Sequence, residues 1–303
     1  MLKSLYSGVS GMKGFQTKMD VIGNNVANVG TVGFKKSRVM FQDLLNQNIA
    51  DAVTPTAQRG GINPQQIGLG TKIASIDTIH TQGSPMTTNV GSDLTIDGNG
   101  YFVVSANKDG SNPLLTKAGN FTLDGNGFLV DSRGNFVLGV TAEKDGKGNA
   151  APKVIKITED EIATNDKKIT AYSIDADGYI NVVSEGEKIG KLALNGGKYY
   201  INDNPNATDD NLSIATSVIQ NPAGLKKVGN SLFEVTGNAG TNEFGRIKDN
   251  NGGVINSGVL EMSNVDLTEE FTEMIVAQRG FQANARTITT SDSILEEIVN
   301  LKR

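Results

Sequence analysis

The sequence predicts a mainly β chain with α-helical termini, the terminal helices carrying coiled-coil seams and the middle forming an antiparallel β sandwich or partly open barrel. Three observations predict it. Apolar residues near both ends recur at alternating steps of three and four, the spacing of one stripe on a helix. From about 71 to 261 that period is lost, and short runs rich in Val, Ile and Thr alternate with Gly-based turns. Within this stretch one pattern recurs: an apolar residue, an Asp-containing turn closed by Gly, an aromatic, then more strand.

The N-terminal stripe is Leu2, Leu5, Val9, Met12, Gln16, Met19 and Val26. The C-terminal stripe is Leu267, Phe271, Met274, Gln278, Phe281, Ala285, Ile288, Leu295 and Val299. Asp266, three residues before Glu269, offers an N-cap for the second helix. Each seam holds one glutamine, and a polar seam residue sets register at some cost in stability. Gly8, Gly11, Gly14 and Gly23 weaken the first helix by about 1 kcal/mol each relative to alanine. Thr287, Thr289 and Thr290 weaken the second by restricting χ1. Neither helix should stand alone, because helical stability comes mostly from packing an apolar face. Either the two ends pack on each other as a two-helix cap, or the seams await neighbouring subunits. Periodicity alone favours the first.

The domain division that follows is 1–45 with 262–303 as a helical terminal domain, 46–70 as a connector, and 71–261 as the β-rich domain. The connector is dominated by Asn, Gln, Ala, Pro and Gly and has no clear period. The repeated turns begin at Asp97, Asp124 and Asp175, where Asp, Asn and Gly suit tight hairpins. Residues 187–211, with Gly196-Gly197 and a long polar run, read as a small surface insertion, an added hairpin.

Composition narrows the chemistry. A net charge of -5 with scattered lysines and arginines gives no basis for binding nucleic acid or an anionic membrane. With no cysteine there is neither a disulfide framework nor a thiolate metal site. No apolar run approaches a membrane span, and residues 1–10 lack an apolar core and a cleavage site. The expectation is a chain that is cytosolic, or exported with its N-terminus in place. The single histidine, His80, falls in an alternating segment with Thr78 and Gln82 and reads as a surface strand residue, not a catalytic base. The Asp-Gly turns place Gly three residues after Asp, which fails the calcium-loop spacing. No phosphate loop occurs, and no carboxylate pair stands out. No enzyme activity, cofactor or metal is expected.

Segment 20–35, with Asn24-Asn25-Val26-Ala27-Asn28 at its centre and Gly33-Phe34-Lys35 near its end, resembles the N-terminal signature of the rod, hook and hook-associated axial proteins of the bacterial flagellum. Segments 261–267 and 274–286, the latter containing Gln278-Arg279-Gly280-Phe281-Gln282-Ala283-Asn284, resemble the C-terminal signature of that family. Segments 93–102, 118–124 and 221–225 are similar to its β-domain motifs. The resemblance implies terminal helices forming a coiled-coil inner core of a tube, with the two stripes above as the polymerisation seam. It implies export through the flagellar secretion apparatus without cleavage, and a place in the hook or basal body, outside the cell. Segment 278–288 and the ending Leu301-Lys302-Arg303 resemble a hook subunit, a flexible universal joint; the alternative within the family is the distal rod. A hook subunit would contact copies of itself, rod proteins, the hook cap, hook–filament junction proteins and the hook-length control protein.

Overall fold

The computed structural model describes residues 2–56, 59–141, 152–157, 169–184, 188–195, 198–202, 210–240 and 243–301. The chain divides into two compact units, one drawn from 1–29, 36–79 and 265–303, the other from 30–35 and 80–264.

The first unit is built on two helices, α1 (Leu2–Ala27) and α2 (Leu267–Leu301). They run antiparallel: Gly8 lies opposite Thr287 and Ile288, Gly11 opposite Asn284, and the Phe15 ring against Gly280. Lys18 pairs with Glu273 at 3.1 Å, and Asn25 with Glu270 at 3.1 Å. The start of α2 is fixed by Asp266, whose carboxylate accepts the backbone N–H of Thr268 at 2.8 Å and of Glu269 at 3.4 Å. These backbone bonds, that from Thr268 foremost, hold the Asp266 carboxyl below its usual range.

Between the helices in sequence runs a β ribbon. Strand Ser37–Asp43 pairs antiparallel with Thr71–Thr78, with a bulge between Met40 and Phe41. Residues 46–70 continue this ribbon. Asn46–Ala50 pairs with Gln65–Gly68, and bridges Val53–Ile62 and Thr56–Arg59 carry the pairing toward the tip. The stretch is therefore a long hairpin and not the shapeless connector its composition suggests. It buries neither face, so no alternation of apolar residues marks it, and only backbone pairing defines it. The helical domain boundary also moves: both ribbon strands up to Thr78 belong with the helices.

The second unit is mainly antiparallel β. Its largest sheet has Gly100–Ser105 and Phe136–Val140 side by side near the middle, flanked by Leu114–Thr116 and Leu232–Glu234 on one side and Leu129–Val130 on the other. Ile169–Ile174, Ile180–Ser184, Lys188–Asn195 and Lys198–Asn202 form a separate four-stranded sheet. Leu192 and Leu194 are buried in one core with Leu94, Phe102, Leu129, Ile180 and Ile214. Residues 188–202 are thus a hairpin, but a load of core side chains and not a surface excursion; the polar run 203–209 lies outside the described residues.

The turns at Asp124 and Asp175 close hairpins as expected. In each, the Asp N–H donates across the turn, to Phe128 O and Tyr179 O, and the closing glycine has positive φ. A third turn of this kind, Asp131 to Asn135 with Gly134 at φ +83°, was not read from the sequence. The repeat at Asp97 differs. Leu94–Asp97 pairs with Val254–Ser257 rather than with the strand that follows it. A Cβ at Gly98 would meet Gly252 O at 2.3 Å, so the Gly there serves close backbone approach.

Candidate functional site

The helix pair has three distinguishable rows on each helix. Gly8, Gly11, Phe15, Lys18 and Asn25 of α1 face Thr287, Asn284, Gly280, Glu273 and Glu270 of α2. The expected seam lies one residue further on in both helices: Val9, Met12, Gln16, Met19 and Val26 on α1, Phe271, Met274, Gln278, Phe281, Ala285 and Ile288 on α2. One residue turns a helix by about 100°. Because the helices are antiparallel, these turns run in opposite senses seen from one end, and both stripes come out on the same side of the pair. The row one residue back, represented by Ser10 and Gly14, is covered by the ribbon. Ser10 Oγ accepts the Thr71 N–H at 3.3 Å, and a Cβ at Gly14 would meet the Phe41 ring at 2.7 Å. The helix pair therefore has one side covered by its own chain and the other left open and apolar.

Exposure agrees with this placement. Phe271 is 50% exposed, Leu267 39%, Val9 38% and Val299 63%. Leu5, Met12, Met19, Val26, Met274, Phe281, Ala285, Ile288 and Leu295 are half-buried, and Gln16 and Gln278 are exposed. Leu2 begins α1, and its side chain lies outside the described set. The two ends do pack on each other, but mainly through the neighbouring row, with Phe15 among its small and polar residues and Ile288 of the stripe also against Gly8.

That row explains Gly11 and Gly280. A Cβ at Gly280 would lie 2.6 Å from the Phe15 ring, and one at Gly11 2.9 Å from the Asn284 amide. The N-terminal asparagines also acquire a role. Asn25, 1% exposed, donates Nδ2–H to Ser37 O at 2.8 Å and accepts Ser37 N–H at 3.0 Å, so its side chain pairs with the first ribbon residue as a neighbouring strand would. Lys36 beside it reaches Glu269 at 2.7 Å. Only the recurrence of Asn near the end of the first helix hinted at this bracket.

His80 is not a surface strand residue. The strand ends at Thr78, and the ring sits 5.4 Å from the Phe233 ring with Nδ1 2.8 Å from Tyr101 Oη. Burial first, then the charges of Lys35, Lys227 and Lys117, lower its pKa to about 4. A histidine with pKa near 6.5 unfolded and about 4 folded contributes stability that is complete above 6.5 and lost as pH falls to 4. Discounted for partial exposure, the loss is about 2 kcal/mol. Urea midpoints of wild type and His80→Gln should diverge across that window, the variant falling less; parallel curves would remove His80 from the account.

Among the described residues no cluster of metal-ligating side chains occurs, and no helix is long and apolar enough to cross a membrane. Comparison with known proteins names the class. The description "Flagella basal body rod protein" matches 5–35, "Flagellar hook protein FlgE/F/G D1 domain" matches 95–182, and "Flagellar basal body rod FlgEFG protein C-terminal" matches 256–301. The chain is 45% identical to the flagellar basal-body rod protein FlgG of Bacillus subtilis over 304 positions covering both chains completely. It is 33% identical to FlgG of Borreliella burgdorferi over 308 positions, again covering both. It is also 33% identical to the flagellar hook protein FlgE of Borreliella burgdorferi, both chains covered, but over 445 positions. The chain belongs to the flagellar rod and hook protein family, whose members matched here are structural proteins of the flagellum. The matches support the rod alternative at least as well as the expected hook subunit: identity is higher with the Bacillus subtilis rod protein, and the hook alignment extends over 445 positions against the 303 residues of this chain.

Proposed function

We propose that this chain is a subunit of the distal flagellar rod, a drive shaft assembled from many copies of itself between the more proximal rod and the hook. The observation that carries assembly is the open apolar face of the helix pair. It presents apolar side chains such as Val9, Met12, Met19, Phe271, Met274 and Phe281 on one side, with Gln16 and Gln278 to fix register. A full burial of each apolar side chain is worth about 1.5–3 kcal/mol, and about half of it remains to be gained at Phe271 and less at the others. The sum is on the order of 2–7 kcal/mol, against roughly 4–15 kcal/mol lost in translational and rotational freedom on association. One pairwise contact is therefore marginal, and a lattice in which each face meets several neighbours is strongly favoured. The helix pair would then form the inner layer of a tube, subunits reaching the growing end through the flagellar export channel. Length and whole-chain similarity favour the stiff rod over the flexible hook.

Electron microscopy of basal bodies from cells lacking the gene tests this. Truncated rods without hooks are expected. Complete rods lacking only the hook would return the assignment to the hook, and intact hook–basal bodies would end both readings.

A further inference from the structure

A second feature of the molecule is a charged cluster sealed inside the β-rich unit. Lys35 is fully buried, and Glu261 is 1% exposed. Lys35 Nζ donates to Glu261 Oε1 at 2.5 Å and to Thr81 O at 2.7 Å. The same carboxylate oxygen accepts the Gly83 N–H at 3.0 Å, while Oε2 faces Lys117 Nζ at 3.8 Å. Lys117 in turn donates to Gly98 O at 2.7 Å, and burial, as the leading cause, lowers its pKa to about 8. One carboxylate thus answers two buried ammonium groups. Such an arrangement is poor as a source of stability, because an apolar replacement of similar volume serves as well or better, but removing one member leaves an uncompensated buried charge.

What the cluster joins is specific. Lys35 ends the segment 30–35, the chain's first and brief passage through this unit before it re-enters at His80, and Glu261 opens the segment 261–264, by which it finally leaves. The two also meet through backbone: Gly33 N–H donates to Glu261 O at 2.8 Å, and Asn264 N–H to Phe34 O at 3.4 Å. Segment 81–84 is held between them, since Met262 N–H donates to Ser84 O at 3.0 Å. A Cβ at Gly83 would stand 1.9 Å from Met262 O, and one at Gly33, where φ is +67°, 2.6 Å from Ala118 N. Both glycines are sites where backbone closes directly on backbone around the carboxylate.

We propose that Glu261 is the common anchor of segments 30–35 and 261–264, so that the two open and close as one element, separately from the sheet core. Force arriving along either segment then passes to the other through the Lys35–Glu261 pair before it reaches the main sheet. This inference concerns the folded chain and does not depend on the rod reading.

Amide hydrogen exchange on the full-length protein tests it. In wild type, the amides of Gly33, Gly83 and Met262 should share one opening free energy and one urea dependence, below that of Val103 and Leu115 in the sheet. In Glu261→Gln, all three should exchange about a hundredfold faster or more, with Val103 and Leu115 unchanged. Lys35→Met should do the same, and the double variant should add little to either. Faster exchange at Gly83 alone, additive effects in the double variant, or distinct urea dependences of the three wild-type amides would overturn the proposal. The wild-type measurement decides the matter even where a variant fails to fold.

Discussion

Phe281→Asp should give a folded subunit that does not assemble. Phe281 lies on the open side of the helix pair, half-buried, one residue beyond the Gly280–Phe15 contact that joins α2 to α1. An aspartate there remains solvated in the free chain and leaves the unit intact. In a lattice the same carboxylate would be taken out of water against apolar side chains of neighbours, with no partner to answer it. Burial of an unpaired charge costs several kcal/mol, as much as the whole face offers. The expected outcome is a thermal midpoint within a few degrees of wild type, with no assembled axis in a complemented null strain and no spreading in soft agar. Normal motility would show that this side of the pair is not a subunit interface.

Gly280→Val, one residue away, should do the opposite and damage the unit itself. The added Cβ would fall 2.6–2.8 Å from three atoms of the Phe15 ring. A retreat of that ring would disturb its packing at 6.0 Å against Phe41, which is itself closed over Gly14. A β-branched side chain has little freedom to rotate away inside a helix. Overpacking of this kind costs about 3 kcal/mol at the upper end of its usual range, and the helices must separate to relieve it. Loss of exchange protection along both helices, with the β-rich unit unchanged, is the expected signature. Phe15→Leu in the same chain should recover part of it. If Gly280→Val leaves both helices protected, the Phe15–Gly280 contact is not what joins them.

The contrast between these neighbours shows what the sequence disclosed and what it hid. Helix existence and the apolar stripes were legible because a run such as Phe271, Met274, Gln278, Phe281 repeats with helical period. The surface that joins the two helices was not, because it is made of Gly8, Gly11, Gly280, Asn284 and Thr287. Periodicity analysis seeks apolar side chains, and those glycines look like helix weaknesses until the opposing ring is seen. Asp266 was legible as a cap because its effect is local. His80 was misplaced because alternation was carried past Thr78, where the strand ends, and its neighbours Tyr101 and Phe233 are remote in sequence. The hairpin within 46–70 left no pattern because it buries nothing. In 188–202, alternation of Leu192 and Leu194 was available but was outweighed by the polar residues around it.

The threonines and serines late in α2 bear on one further property. Thr287 donates its hydroxyl to Asn284 O at 2.7 Å, Thr289 and Thr290 to Arg286 O at 3.0 and 2.9 Å, Ser291 to Thr287 O at 2.8 Å, and Ser293 to Thr290 O at 2.9 Å. Each hydroxyl proton is spent on a carbonyl of its own helix. The penalty of dehydrating a polar side chain falls on donors left without acceptors, and here the donors bring their acceptors with them. These threonines and serines, though not Asp292 among them, can therefore be withdrawn from water at less cost than their composition suggests.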